Sequence, residues 1–223
     1  QNFIGGTGCT VILSETGMCA GLDVRGGGPA SRESELLKPL AAAQSIHAVL
    51  LGGGSAFGLD AAGGVMQFLE EKGIGFDVGV TKVPLVCQSD IFDLTVADAH
   101  VRPDKEMGYE ACKGAYADNY QDGNFGVGTG ATVGKFRGMD YCMKSGIGSY
   151  AVQIGELKVG AIVAVNALGD IYDHHSGRIV AGMLNEERSA FADTAKLLYS
   201  SYEVHDNKFV GNTTIGAIIT NAR

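Results

Sequence analysis

The chain has 223 residues, 45% hydrophobic and 19% charged, with 17 basic against 25 acidic side chains and a formal net charge of −8. That balance supports a globular core and excludes a wholly disordered chain, and without a basic run it argues against a nucleic-acid partner. Thirty-four glycines, roughly twice the usual share, predict many tight turns and close backbone approaches.

In chain order, residues 9–13 form an apolar run of strand length. Glu15-Thr16-Gly17 reads as the turn of a hairpin that returns over 18–24. Ser31 is placed to cap a short helix reaching Leu37, where Pro39 stops it. Residues 46–51 read as a buried strand and Gly52-Gly53-Gly54 as the turn after it. Ser55 then caps a helix whose Phe57, Ala61, Val65, Phe68 and Leu69 face a core. Lys72 and Gly73 close that helix, and a strand follows over 83–87. Pro103, Asp104 and Glu106 open a second helix with Met107, Ala111 and Ala115 as its apolar stripe.

Residues 122–138 are rich in glycine and read as loop. Two strands follow, 149–154 and 157–165, joined at Gly155-Glu156. Asn185, with Glu186 and Glu187 behind it, opens a last helix that lines up Phe191, Ala195, Leu198 and Tyr202. A polar stretch, 203–208, leads to a strand over 215–220, which predicts a fold continuing past the end of this chain. Helices and strands mix without strict βαβ alternation, which favours α+β or layered α/β over a doubly wound sheet.

The five cysteines are widely spaced and include no C-x-x-C pair, which predicts a reducing, cytoplasmic setting and no structural zinc. The uncharged stretch 39–59 is broken by Gln44, Ser45, His47 and three glycines, so it reads as strand and turn rather than a membrane span. No signal-peptide pattern opens the sequence. Residues 52–58, Gly-Gly-Gly-Ser-Ala-Phe-Gly, lack the Lys-Ser/Thr of a P-loop and the second glycine of a nucleophile elbow, leaving a structural turn. His174 and His175 are adjacent, point to opposite faces of a strand, and have no third ligand at a recognisable spacing. No metal and no cofactor are expected, and the cysteines read as small buried hydrophobes rather than nucleophiles.

The junction Gly211-Asn212-Thr213-Thr214 offers different chemistry. A threonine heading a buried strand after a flexible Gly-Asn can attack the preceding carbonyl. The N→O acyl shift gives an ester that water hydrolyses, leaving Thr213 as a new N-terminus whose amine serves as base for its own hydroxyl. Such a site needs an oxyanion donor and a nearby cation to hold the amine near neutral. The same pattern also suits a structural threonine opening a strand.

Six segments occur in a telling order. They are Gly6-Thr7-Gly8-Cys9-Thr10-Val11, Val24-Arg25-Gly26-Gly27-Gly28-Pro29, residues 51–59, Gly126-Val127-Gly128-Thr129-Gly130-Ala131, residues 163–170 and Asn212-Thr213. Together they resemble the L-aminopeptidase/D-esterase family, which includes β-peptidyl aminopeptidases and nylon-oligomer hydrolases, over nearly the whole chain. The resemblance implies an α+β fold, an αββα sandwich of the N-terminal-nucleophile-hydrolase kind with ornithine acetyltransferase-like topology. It also implies a precursor that cuts itself, so that 1–212 is the large (α) subunit and 213–223 the start of the small (β) subunit. Thr213 matches the nucleophile, and Asn166 the asparagine of the oxyanion hole. Lys135 matches a lysine beside the nucleophile, and Phe92 an aromatic of the substrate pocket. Taken alone, Asn166, Lys135 and Phe92 would read as a strand-end turn residue, a solvated loop lysine and a core phenylalanine.

The activity implied is hydrolysis of amide or ester bonds in small amino-acid derivatives, short peptides or amino-acid-like oligomers through an acyl-enzyme. The partners implied are that substrate, the protein's own C-terminal (β) subunit and further copies of the chain, as a homo-oligomer such as a tetramer. Two departures stand out: the sequence stops shortly after Thr213, where the family continues with groups of its active site, and a short opening segment is absent. Two other readings remain. One is ornithine acetyltransferase-type acyl transfer, whose Ala-Thr-Met-Leu-type cut site differs from Asn-Thr-Thr-Ile here. The other is a non-catalytic scaffold or binding protein.

Overall fold

Gly5 and Gly6 both hold positive φ, 59° and 88°, and reverse the chain in two residues between β1 (Asn2–Ile4) and β2 (Thr7–Met18). That hairpin replaces the expected one. Gly17 at φ 81° coincides with a register shift between Leu13 and Met18, so Glu15-Thr16-Gly17 forms a bulge rather than a turn. Residues 19–30 are not strand. A computed structural model describes residues 1–201 and 211–222 of the chain; Tyr202, residues 203–210 and Arg223 lie outside the described residues.

Ser31 caps no helix: it belongs to β3 (Ser31–Arg32), and the 3-10 turn Ser34–Leu37 is entered through Glu33 in left-handed conformation. β4 (Ile46–Gly52) pairs antiparallel with β2 and parallel with β7 (Val86–Asp90). The crossover holds a 3-10 helix, Ser55–Asp60, then α1 (Ala61–Glu71) and the small hairpin β5 (Phe76–Asp77) and β6 (Lys82–Val83). Gly54, not Ser55, is the N-cap of the 3-10 helix. The tighter winding shifts the phase of the side chains, so Phe57 is 61% exposed and stacks under the Arg102 guanidinium instead of facing the core.

Asp104 caps α2 (Lys105–Tyr116) by accepting from the Met107 N–H at 2.9 Å. Its buried stripe is Met107, Gly108, Ala111 and Cys112, while Ala115 is exposed. α1 and α2 approach closely at Gly64 and Gly108, where a Cβ would strike the carbonyls of Lys105 and Ala61. Their apolar faces join Cys9, Leu50 and Val86 of the sheet in one core cluster. The first sheet has the order β1-β2-β4-β7-β3.

After the buried 3-10 turn Gly126–Gly130 come β8 (Thr132–Val133) and β9 (Met143–Lys144), which pair. β10 (Ile147–Ile154) and β11 (Leu157–Asn166) follow, then β12 (Ile171–Tyr172) and β13 (Ile179–Ala181). The last helix, α3, spans Thr194–Ser200 with Asp193 as cap. It does not begin at Asn185, whose Oδ1 instead accepts from the N–H groups of Ser189 and Ala190 and closes a turn. β14 (Thr213–Thr220) completes an antiparallel sheet ordered β10-β11-β14.

One face of this second sheet packs on the first. Ile147, Ala164, Ile162 and Ile215 meet Leu51, Ile91, Val127 and Ala131 in a second core cluster. The order of layers is therefore helices, sheet, sheet, an α+β arrangement with three layers of the expected sandwich. Among the described residues no helix is long and apolar enough to cross a membrane.

Candidate active site

β11 and β14 run antiparallel in a register that sets Asn166 directly opposite Thr213. Both side chains point between the sheets, the same way as Ala164 and Ile215 of the core. Asn166 is fully buried. Its Oδ1 accepts from the Thr132 N–H at 3.1 Å, the Thr132 hydroxyl at 3.2 Å and Lys135 Nζ at 2.9 Å. Three donors on one oxygen fix the orientation of the amide, so its Nδ2 faces Thr213. From there Nδ2 donates to Thr213 Oγ1 at 3.1 Å and to the Phe92 carbonyl at 2.7 Å. The Phe92 N–H donates to the same Thr213 oxygen at 3.3 Å. Two donors thus converge on one hydroxyl.

Lys135 leaves the glycine-rich segment just after β8. Its Nζ also donates to the Asn166 carbonyl at 3.1 Å and the Gly211 carbonyl at 3.5 Å. Burial lowers its pKa from the usual lysine range to about 8. Phe92 lies against Gly211, where a Cβ would sit 3.0 Å from its ring, and Gly211 holds φ 76°; glycine is needed there on both counts. The structure thus brings Thr213, Asn166, Lys135 and Phe92 to one place, with Asn212 beside them.

Thr213 and Phe92 line a cavity of about 680 Å³ whose other wall is the irregular segment 22–30 and Ser31 at the start of β3. Asp90, in that wall too, is 1% exposed. Its Oδ1 accepts from Gln88 Nε2 at 2.8 Å, and its Oδ2 has no partner among the described residues. Burial pushes its carboxyl up to about 8. Asp93 is also buried and accepts from the Thr7 hydroxyl and the Gly54 N–H. It thereby ties residues 52–58 to the segment carrying Phe92. Thr132, Asp90 and Asp93 escape a reading of the sequence; the one signal is acids in an otherwise apolar strand region.

The other candidates lie apart. His174 and His175 stack with ring centroids 3.8 Å apart, in a turn where Asp173 accepts from the His175 and Ser176 N–H groups. Among the described residues no group of three or more His, Cys, Asp or Glu could hold a metal ion. Cys9 and Cys112 are buried with thiols pushed up to about 12, and Cys87 to about 11, which makes them inert.

Comparison with known proteins gives the family of the chain. The family model described as Peptidase family S58 matches residues 3–223. The chain belongs to that family. Against an uncharacterized aminopeptidase of Mycobacterium leprae the S58 chain is 39% identical over 96% of its length and 60% of the relative's. It is 30% identical to a 6-aminohexanoate-oligomer endohydrolase of Agromyces sp., covering 98% of this chain and 59% of that protein. The chain thus spans about three fifths of these two curated relatives. Among solved structures, the PH0078 protein from Pyrococcus horikoshii OT3 shares the fold, with a TM-score of 0.53 at 17% identity over 97% of this chain and 50% of that one.

Proposed function

We propose that the full-length S58 protein is a self-processing amidase or aminopeptidase with Thr213 as its nucleophile. The observation that carries this reading is the Thr213 hydroxyl held by Asn166 Nδ2 and the Phe92 N–H at 3.1 and 3.3 Å. In the precursor the Thr213 oxygen attacks the Asn212 carbonyl carbon. The C–N bond to Thr213 breaks as the ester forms, and the nitrogen takes up the hydroxyl proton. Water then cleaves the ester, freeing the Asn212 carboxylate and a Thr213 N-terminus.

The freed amine next deprotonates its own hydroxyl for attack on a substrate amide or ester. Charge building on the attacked oxygen needs neutral donors in place beforehand, and the Asn166 amide is one. Lys135 serves twice: it pins the Asn166 amide, and its nearby charge keeps the Thr213 amine unprotonated. Asp90, sealed behind Gly52 and Gly58, stays neutral at pH below about 8. The substrates on this reading are small amino-acid derivatives, short peptides or amino-acid-like oligomers, in the cytoplasm. The rest of the gene product forms the partner subunit, and copies assemble into a homo-oligomer. Relatives named as an aminopeptidase and an oligomer endohydrolase support the amide-cleaving class.

The test is to express the full-length gene and sequence the N-termini of the bands on a denaturing gel. Two chains are expected, one beginning at Thr213, and a single chain for Thr213→Ala. A wild-type protein that stays uncut overturns the reading.

A further inference from the structure

A second cavity, of about 440 Å³, is lined by Thr95, Thr132, Cys142, Lys144 and Arg188 together with apolar side chains, and shares no lining residue with the first. The two meet at the reaction centre: Thr213 is in the wall of one, and Thr132, which holds the Asn166 amide, is in the wall of the other. Lys144 and Arg188 donate to the main-chain carbonyls of Thr129 and Asp140. Among the described residues no carboxylate lies within ion-pair distance of either. Nearby acids have other engagements. Asp93 turns its carboxylate to Thr7 and Gly54 and acts on Lys144 only through space; Glu186 faces Arg137 at 4.0 Å, and the charges that act on the Cys142 thiol are those of Lys135, Arg188, Lys144 and Asp140.

Arg188 is also held in an uncommon way. It has φ 55°, in the turn closed by the Asn185 side chain. That turn fixes where the Arg188 side chain leaves the backbone. A guanidinium fork and an ammonium facing one cavity, with no carboxylate in ion-pair contact among the described residues, match a planar two-oxygen anion.

We propose that this cavity binds a carboxylate beside the Asn166–Thr213 pair and serves the reaction there. The carboxylate comes either from the leaving half of the substrate, as in a dipeptide or an oligomer end, or from a free carboxylic acid acting as effector. The first source rests on the reading of Thr213 as nucleophile; the binding site itself does not.

Cys142 lines the cavity and Cys19 is exposed elsewhere, which gives a test with an internal control. Full-length protein is alkylated with iodoacetate and, separately, with iodoacetamide, and each cysteine's modification rate is read by peptide mass spectrometry. Each thiolate displaces iodide from both reagents, which differ in the carboxylate. The iodoacetate-to-iodoacetamide rate ratio at Cys142 is expected to exceed that at Cys19 by about threefold or more, the size of a partly exposed charge pair. The double variant Lys144→Gln, Arg188→Gln, checked for an unchanged melting temperature, should bring the two ratios together. Equal ratios in the wild type, a ratio kept by the double variant, or no reaction of Cys142 with iodoacetate would each overturn the site.

Hydrolysis then separates the sources. A kcat/KM preference for alanyl-alanine over alanyl-alanine amide, lost in the double variant, assigns the carboxylate to the substrate. Inhibition of amide hydrolysis by added acetate, lost in the same variant, assigns it to a free acid. Neither effect overturns the link to the reaction. Activity that survives Thr213→Ala counts against the nucleophile and leaves the alkylation result standing.

Discussion

Burial moves two ionisable groups toward each other, both to about 8: Lys135, which holds the Asn166 amide, and Asp90, whose carboxyl packs against Gly52 and Gly58. For Lys135 the lowered value means an ammonium below about pH 8 and a neutral amine above it. Turnover that relies on the cation should therefore fall as pH rises through that value. Lys135→Arg keeps its charge throughout and is expected to lose that fall, whereas Lys135→Met is slow at every pH. A wild-type rate that stays level from pH 7 to 9.5, roughly the span around that pKa, counts against a role for the charge. For Asp90 the sign concerns stability. Its folded pKa lies above the unfolded value, so the folded state binds the extra proton between about pH 4 and about pH 8. The cost of ionising it is absent at the acid end of that window and complete at the other. Asp90→Asn keeps an acceptor for Gln88 and cannot ionise. Its melting temperature should exceed that of the wild type at pH 8.5, roughly half a unit past the upper pKa, and the gap should close toward pH 4. A constant gap across that range would mean that the fold does not raise the Asp90 pKa above its unfolded value.

At the scale of elements, the alignment of β14 on β11 decides whether Thr213 meets Asn166, because a one-residue slip would turn its side chain to the other face. Gly216 guards that alignment: a Cβ there would sit 2.7 Å from the Ile162 carbonyl and 3.1 Å from Val163 Cγ2. Gly216→Val should cost about 1–3 kcal/mol, typical of overpacking, and slow appearance of the Thr213 terminus. Ile218→Thr, at an exposed position two residues on, serves as control. An unchanged processing rate in Gly216→Val would show that the alignment tolerates displacement. These strands were legible because β-branched runs bounded by Gly155-Glu156 carry their own signal; α1 and α2 were legible from apolar spacing. Gly5-Gly6 spells the β1–β2 hairpin, but the turn signal of Glu15-Thr16-Gly17 competes with it, and α3 starts after Asn185 because that side chain closes a turn that a sequence does not reveal. The meeting of Thr213, Asn166, Lys135 and Phe92 was legible only through ordered motifs. Asp90 and Thr132 were not legible, since β7 reads locally like any strand. Only its parallel pairing with β4 and the packing of residues 52–58 bury the carboxyl.

Across the whole molecule, the two faces of the β10-β11-β14 sheet have opposite fates. The inner face, carrying Ala164, Ile162 and Ile215, closes on the first sheet. The outer face presents Tyr150, Ile154 and Ile218 at 77%, 74% and 79% exposure, with Val152 and Leu157 beside them. The register puts Tyr150 and Ile218 on either side of Ala161, in one row across the sheet. Contiguous apolar surface of this kind marks a contact with another element or chain, and the described helices all lie elsewhere. The relatives run well beyond the stretch matched here; on the proposed reading, a matching C-terminal portion is the expected cover and would supply the fourth layer of the sandwich. Residues 1–223 expressed alone should bind the dye 1-anilinonaphthalene-8-sulfonate and self-associate in a sizing column. The triple variant Tyr150→Ser, Ile154→Thr, Ile218→Thr should suppress both, and in full-length protein the dye signal should be low with the wild-type face intact. Strong dye binding by full-length protein that the triple variant abolishes would show instead that this face stays open, as a surface for a second copy or another partner.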